Sequence, residues 1–184
     1  MRSTKLTFLA LLTLLVALPA AAGTLAGVTL PDRADVSGKG LVLNGLGLRT
    51  KFFIKVYVGG LYLPAKERSA AKVLADDEPR RLVLHFLYGV SKKQMCEAWE
   101  EGFADNAPTA PKELAGQLCA LMEPIDKGKE LVFTYVPGEG TKVEVNGKVK
   151  ATIPGKPAAD AILSTWIGPK PGPGDDFKKA VLGG

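Results

Sequence analysis

The sequence predicts an α+β domain in which an antiparallel sheet is covered by helices on one side. Three observations support this fold class. Arg81–Tyr88 is apolar at nearly every position, as in a central strand. Glu130–Val136 and Thr141–Asn146 follow the two-residue period of strands, while Ser91–Ala104 between these regions carries apolar residues at helical spacing. Helices gathered beside a run of strands are typical of α+β folds.

The first 22 residues have the layout of a secretory signal peptide. Arg2 and Lys5 form a basic start, Leu6–Leu18 is almost wholly apolar, and Pro19–Ala22 supplies small residues for cleavage. The apolar run is too short for a stable bilayer span, although a retained anchor is the alternative. We therefore expect an exported, periplasmic protein with one domain at residues 23–184 and no later membrane span.

Composition narrows the classes of partner and cofactor. The chain has 184 residues and a net charge of +5, which falls to +3 when Arg2 and Lys5 are removed with the signal. This small charge is scattered along the chain, so we do not expect nucleic-acid binding. Two cysteines and one histidine are too few for an ordinary zinc site. We expect no metal and no cofactor.

The first half of the mature chain is expected to supply strands and one short helix. Gly45 and Gly47 precede the longest strand candidate, and Gly59-Gly60 offers a turn or bend near its end. The predicted elements are a lead-in at Val28–Pro31, a hairpin of Ala34–Ser37 and Leu41–Asn44 about Gly38-Lys39-Gly40, the long strand Leu43–Pro64, a helix Ser69–Leu74 capped by Ser69, and the strand Arg81–Tyr88.

The second half is expected to form a helical hairpin, a strand meander and two more helices. Asn146-Gly147 is the strongest short-range hairpin signal in the chain. Asp175 and Asp176 suit the positive end of the last helix. The predicted elements are helices Ser91–Ala104 and Pro111–Met122, strands Glu130–Val136, Thr141–Asn146 and Lys148–Ile153, and helices Ala158–Trp166 and Asp175–Leu182.

The two cysteines are placed to form a disulfide. Cys96 and Cys119 lie almost equally far from the turn of the helical hairpin, near residue 107 or 108. Antiparallel packing of the two helices would therefore place the cysteines side by side. A bridge also requires that their Cβ atoms face each other. The alternative is a pair of small buried hydrophobic residues.

Arg49 is the best candidate for a functional residue. A guanidinium stays charged and fits a carboxylate with two parallel hydrogen bonds. Tyr57 shares the parity of Arg49, but eight residues of straight strand would separate them by roughly 26 Å. The segment must therefore bend for both side chains to hold one carboxylate. An arginine on a solvated sheet face is the alternative. His85, in an apolar strand, is more typical of a hydrogen-bonded core residue than of a catalyst.

Three segments give the chain a family likeness. LNGLGLRTKFFIKVYVGGLYLP, YVPGEGTKVEVNGK and WIGPKPGPGDDFKKAVLG resemble the exported bacterial branch of the chalcone isomerase-like family. The resemblance implies the chalcone isomerase-like fold, an open-faced β-sandwich whose large antiparallel sheet is covered by helices. The family includes isomerases that close a chalcone into a flavanone and non-catalytic members that bind fatty acids between sheet and helices.

The resemblance also implies roles for particular residues. Arg49 matches an arginine used by both kinds of member, and Tyr57 stands where the isomerases have a threonine and the fatty-acid binders a tyrosine. Because the register is uncertain, Tyr62 is a second candidate. Met95, Ala98 and Gly102 replace the tyrosine, lysine and asparagine of the isomerases, and none of the three can relay a proton. With Trp99, Met95 and Ala98 are expected to line an apolar pocket.

The function expected from these residues is non-catalytic binding of a fatty acid or similar amphiphilic carboxylate in the cell envelope. Two alternatives stay open. One is an isomerase or intramolecular lyase of the chalcone isomerase type acting on another substrate. The other is a structural or interaction module without a ligand.

Overall fold

A computed structural model describes residues 22–111 and 113–184 as two antiparallel sheets and five helices. The strands are β1 Ala22–Leu25, β2 Val28–Pro31, β3 Arg33–Val36, β4 Lys39–Lys51, β5 Ile54–Leu63, β6 Arg80–Phe86, β7 Glu130–Val136, β8 Gly140–Val145 and β9 Lys148–Ile153. The helices are α1 Ala70–Ala75, α2 Lys92–Asn106, α3 Leu114–Leu121, α4 Lys156–Ile167 and α5 Asp175–Val181. The predicted α+β class is therefore confirmed.

The large sheet follows chain order. Its seven strands run β3-β4-β5-β6-β7-β8-β9, each antiparallel to the next, so β6 lies at the centre as its apolar sequence predicts. In the described residues no helix is both long and apolar enough to cross a bilayer. The predicted signal peptide lies, apart from Ala22, outside the described residues.

The predicted long strand Leu43–Pro64 is wrong. It is a hairpin, β4 and β5, joined by a two-residue turn at Phe52-Phe53, between the paired residues Lys51 and Ile54. Both phenylalanines have positive φ, 48° and 67°, as in a type I′ turn. Type I′ turns are normally occupied by Asn or Gly, so an aromatic run carries no sequence signal for this turn.

Two further corrections concern the N-terminal strands. The turn between β3 and β4 is Ser37-Gly38, both with positive φ, so β4 begins at Lys39 and not at Leu41. The segment Ala22–Leu25 forms β1, which was not predicted and pairs with β2.

The large sheet is buried on both faces. Helices cover the inner face, where Leu61, Leu84 and Phe133 lie in one apolar core. The outer face has its own smaller core, in which side chains of the β1–β2 hairpin pack on the sheet. Its buried members are Val28, Leu30, Val36, Leu41, Leu43, Val58, Tyr62, Val83 and Val132. Because both faces are covered, β5 is apolar at its odd-numbered and its even-numbered positions.

Helix α5 packs directly on the backbone of β4. A Cβ atom at Gly45 would lie only 2.1 Å from the carbonyl oxygen of Ala180. Cβ atoms at Gly47 and Gly59 would meet the ring of Phe177 at 2.7 and 2.4 Å. These glycines were expected to mark turns, but they lie inside strands and permit close approach of a helix.

Helices α2 and α3 form the predicted hairpin, linked by the predicted disulfide. Cys96 and Cys119 are bridged with their Cα atoms 5.0 Å apart. Ser91 caps α2 through a capping box with Gln94. By chain entropy, a bridge spanning 23 residues stabilises the fold by about 3 kcal/mol.

A buried arginine joins the sheet to α4. Arg80 is only 4% exposed, forms an ion pair with Asp160, and donates to the carbonyl oxygen of Val73 at 2.9 Å. Its guanidinium lies 4.9 Å from the ring centre of Tyr135. Lys156 also bonds Asp160, at 2.6 Å. This network fixes the first turns of α4 against β6 and α1.

Candidate functional site

The hairpin brings Arg49 and Tyr57 together as cross-strand partners. The pair lies next to a register shift between Arg49 and Thr50. Arg49 is half-buried, and its Nη1 donates to the carbonyl oxygen of Gly172, in the link between α4 and α5. The bend that the candidate site requires is thus a complete chain reversal at Phe52-Phe53.

Tyr57 is buried on the inner face of the sheet. Its hydroxyl accepts a hydrogen bond from Nε1 of Trp166 at 3.0 Å. Its ring contacts Phe86 and Phe177, with centroid distances of 5.4 and 5.8 Å. Burial raises the pKa of Tyr57, although the Arg49 charge and the hydrogen bonds with Trp166 and Arg49 oppose that rise. The hydroxyl therefore stays protonated at neutral pH and can act as a donor.

The two side chains retain unused donors. Among the described residues, no carboxylate forms an ion pair with Arg49, and no acceptor receives the proton of the Tyr57 hydroxyl. A guanidinium offers five N–H donors, of which the Gly172 carbonyl uses one and the Tyr57 hydroxyl a second. A carboxylate placed between them would accept from both groups. The arrangement is therefore suited to binding an anion.

Tyr62 does not take part in this arrangement. It lies on the outer face of the sheet, where its hydroxyl donates to the carbonyl oxygen of Pro31 at 2.8 Å. Tyr57 and Tyr62 differ by an odd number of residues, so a regular strand directs them to opposite faces. Of the two tyrosines considered from sequence, the structure brings only Tyr57 to Arg49.

Of the three α2 residues predicted to line the pocket, two lie in the interior and one does not. Met95 and Trp99 are buried in the inner core, whereas Ala98 is exposed and does not line the interior. A Cβ atom at Gly102 would lie 2.9 Å from Cγ2 of Thr165, so α4 packs directly against α2 at this glycine.

Aromatic side chains fill the space between the sheet and the helices. Trp99 contacts Phe103, Phe133 and Trp166 with ring centroids 5.4 to 5.7 Å apart. A cavity between β6, β7 and α4 has a volume of about 20 Å³. That volume suits a water molecule and is far too small for an acyl chain. The Trp residues of α2 and α4 could not be placed in this cluster from sequence, because it depends on how the helices cross.

Other titratable residues lie apart from this site. His85 is half-buried near the end of β6, and its Nδ1 lies 3.1 Å from Oε1 of Glu130. Within the described part of the chain, no three His, Cys, Asp or Glu side chains are grouped as metal ligands.

The burial of Tyr62 leads us to expect that the protein loses stability in alkali. Burial raises the pKa of Tyr62 to about 12, from an ordinary value of 10.0. The unfolded chain therefore releases this proton first, and the free energy of unfolding should fall as the pH rises from 10 towards 12. Tyr62→Phe should make that fall less steep, as measured by urea unfolding at a series of alkaline pH values.

Tyr88→Phe is the control for this experiment because Tyr88 is exposed on the surface. Equal alkaline slopes for wild type and Tyr62→Phe would contradict the prediction.

Comparison with family models shows the family of the chain, and comparison with solved structures shows its fold. Residues 22–183 match the family model described as chalcone isomerase-like. Among solved structures, the crystal structure of a fatty-acid binding protein of Arabidopsis thaliana matches with a TM-score of 0.68 and 17% sequence identity. The match covers 89% of this chain and 96% of the plant chain. No curated protein sequence matches the chain.

Proposed function

Since the chain belongs to the chalcone isomerase-like family, we propose that it is a non-catalytic binding protein for a fatty acid or similar amphiphilic carboxylate. One observation carries the proposal. The β4–β5 hairpin pairs the Arg49 guanidinium, which has no carboxylate partner among the described residues, with the protonated hydroxyl of Tyr57. The likeness in fold to a plant fatty-acid binding protein agrees with this function.

The head group would replace a backbone acceptor. Arg49 now donates to the carbonyl oxygen of Gly172, in the segment 168–174 that joins α4 to α5. A carboxylate is the stronger acceptor because its hydrogen bonds to a guanidinium are charge-assisted. We propose that the ligand displaces Gly172, which frees this segment from the hairpin. Burying the carboxylate is tolerable because both donors satisfy it.

The acyl chain would then enter beside Tyr57. The rings of Phe177 and Trp166 cover this residue, and they belong to α5 and α4, the two helices that segment 168–174 connects. Release of Gly172 would therefore loosen the side chains that close the apolar interior. A packed interior could then admit a ligand without a preformed cavity.

The absence of an isomerase proton relay supports the non-catalytic part of the proposal. By resemblance, Met95, Ala98 and Gly102 stand where the isomerases carry the relay, and none of the three donates or accepts a proton. Met95 and Gly102 are buried, whereas Ala98 is exposed. We further propose that the protein acts in the periplasm, as the leader-like residues 1–22 suggest.

The packed interior favours a second candidate function, a structural or interaction module without a ligand. The aromatic cluster and the water-sized cavity would then be the permanent core. The two functions differ in one observable property, which is selective binding of a long-chain carboxylate.

The test is calorimetric titration with hexadecanoate and with hexadecanol, which has the same chain length without the charge. Arg49→Gln should weaken hexadecanoate binding by about 10- to 100-fold, because a charge-assisted hydrogen bond contributes about 1.5–3 kcal/mol. Tyr57→Phe should weaken it by a smaller factor. Hexadecanol should bind wild type weakly, and Arg49→Gln should leave its affinity unchanged.

Arg68→Gln is the matched control because Arg68 is exposed and lies outside the site. Thermal unfolding of each variant shows whether the fold is intact. Equal affinity for acid and alcohol, or no binding of either, would overturn the proposal, and the latter would support the ligand-free module.

A further inference from the structure

The β4–β5 hairpin ends in an exposed apolar tip. Phe52 is 83% exposed, Phe53 is 101% exposed, and Ile54 follows them with about half of its surface in contact with solvent. Lys51 and Lys55 flank these three residues, which we call the apolar tip. Two adjacent phenylalanine side chains that are this exposed lose the stabilisation that burial of aromatic surface gives. The Lys51 ammonium lies 6.0 Å from the centre of the Phe52 ring.

The backbone of the tip is as unusual as its exposure. Three other two-residue turns in the described chain, Ala26-Gly27, Ser37-Gly38 and Asn146-Gly147, also have two positive φ angles, and each has glycine second. The fourth such turn has Phe52 and Phe53, with φ of 48° and 67°. Bulky residues are disfavoured there. Folding therefore explains neither the side chains of this turn nor their exposure.

The tip projects beyond its neighbours in the sheet. Pairing of β5 with β6 ends at Tyr57 and Phe86, so the segment 50–55 extends past β6. At the base of the projection, the N–H groups of Leu87 and Tyr88 bond the carbonyl oxygen of Val56, and Tyr88 is exposed. Three aromatic side chains thus reach solvent at one end of the sheet.

The same end of the sheet is basic. Lys51 and Lys55 lie on the hairpin itself, and Lys127 and Lys129 lie in the turn that bonds Phe86. All four lysines are exposed, and Asp126 and the half-buried Glu130 are the acidic residues beside the second pair. Apolar side chains surrounded by lysines are complementary to an apolar phase beneath an anionic surface.

We propose that the apolar tip docks the protein on a bilayer that contains anionic phospholipid. Phe52, Phe53 and Ile54 enter the interface between head groups and acyl chains, where aromatic rings are favoured. The lysines contact lipid phosphates. Pairing of two tips from separate copies is disfavoured because each would bring its own lysines against those of the other.

Docking would place the carboxylate anchor at the membrane. Arg49 lies three residues before Phe52, about 10 Å along the strand. An amphiphilic carboxylate could then pass from the bilayer to Arg49 and Tyr57 without crossing bulk water. This transfer rests on the proposed function, whereas docking itself does not.

The test is sedimentation with vesicles of phosphatidylcholine alone or of three parts phosphatidylcholine to one part phosphatidylglycerol, with no fatty acid added. The informative variant is Phe52→Asn combined with Phe53→Gly, which gives the turn its preferred residues. It should lower binding to the anionic vesicles roughly tenfold or more while raising the midpoint of thermal unfolding. A purely structural role for the two phenylalanines predicts a lower midpoint instead.

Two further variants separate the contributions of charge and apolar surface. Lys51→Gln combined with Lys55→Gln should weaken binding to anionic vesicles and reduce its sensitivity to salt. Val149→Ser is the control, because Val149 is also an exposed apolar residue but lies on β9 at the far edge of the sheet. Its binding should equal that of wild type. Wild type and all variants must have the same N-terminus, which mass spectrometry of the intact proteins verifies.

A site-specific readout completes the test. Tryptophan emission from Phe53→Trp should shift to the blue on anionic vesicles and be quenched by brominated acyl chains, while Trp99 and Trp166 stay buried. Docking would be overturned if the Phe52→Asn, Phe53→Gly variant binds as well as wild type, or if wild type does not bind. A wild-type dimer that the Phe52→Asn, Phe53→Gly variant does not form would overturn docking in favour of pairing between copies. If the wild-type protein docks on vesicles but does not bind hexadecanoate, the proposed function is overturned and docking is not.

Discussion

Asp160→Ala is expected to lower the free energy of unfolding by about 3 kcal/mol. The change leaves the guanidinium of Arg80 without its carboxylate, and Arg80 is only 4% exposed. An unpaired buried charge is strongly destabilising because the interior does not replace its lost hydration. The expected loss is at the lower end of the usual range, since the Asp160 side chain is itself 30% exposed.

Two comparison variants identify the cause of this loss. Arg80→Met should cost less than Asp160→Ala, because Lys156 still bonds the Asp160 carboxylate at 2.6 Å. Asp105→Ala should change stability by less than about 1 kcal/mol, since the partner of Asp105 is the exposed Lys170. Urea unfolding measures all three. A loss below 1 kcal/mol for Asp160→Ala would show that the buried arginine is hydrated or has another partner.

Gly45→Ala is expected to destabilise the protein by about 3 kcal/mol or more, although it adds one methyl group. The new Cβ atom would lie 2.1 Å from the carbonyl oxygen of Ala180, a backbone atom of α5 that cannot rotate away. Helix α5 must shift as a unit, and with it Phe177, whose ring packs on Tyr57. The substitution should therefore also weaken hexadecanoate binding.

Gly40→Ala is the matched control for this prediction. Gly40 lies in the same strand, and a Cβ atom there would meet nothing within 4 Å. Alanine at this position should be neutral or slightly stabilising, because it restricts the unfolded chain. Urea unfolding should separate the two variants clearly. Equal stability would mean that α5 does not pack on β4 as closely as the structure shows.

The two stability predictions concern residues that the sequence analysis did not assign to such roles. Arg80 falls at the edge of a predicted strand, and nothing in its neighbourhood marks it as buried or names Asp160 as its partner. Gly45 was expected to mark a turn. A glycine in a sequence does not show whether it is needed for a positive φ or for the close approach of another segment. Both roles depend on an element that is distant in the chain.

The candidate site was predictable in part. Arg49 stood out because a lone arginine in an apolar, strand-like run has few structural reasons to be there. The choice between Tyr57 and Tyr62 depended on register, and the hairpin decides it by pairing Tyr57 with Arg49. The exposure of Ala98 depended on the rotation of α2 about its axis, which a short apolar stripe defines poorly.

The sequence by itself determined the local elements of this protein, including β6, the strand meander and the helical hairpin in which Cys96 and Cys119 lie side by side. Periodicity, helix caps and the Asn146-Gly147 turn encode such elements because they act within a few residues. Only the tertiary structure decided that Leu43–Pro64 folds back at Phe52-Phe53, that α5 touches the backbone of β4, and that aromatic rings fill the interior. These features arise where distant segments meet, and the contacts that stabilise them leave no periodic signal in either segment alone.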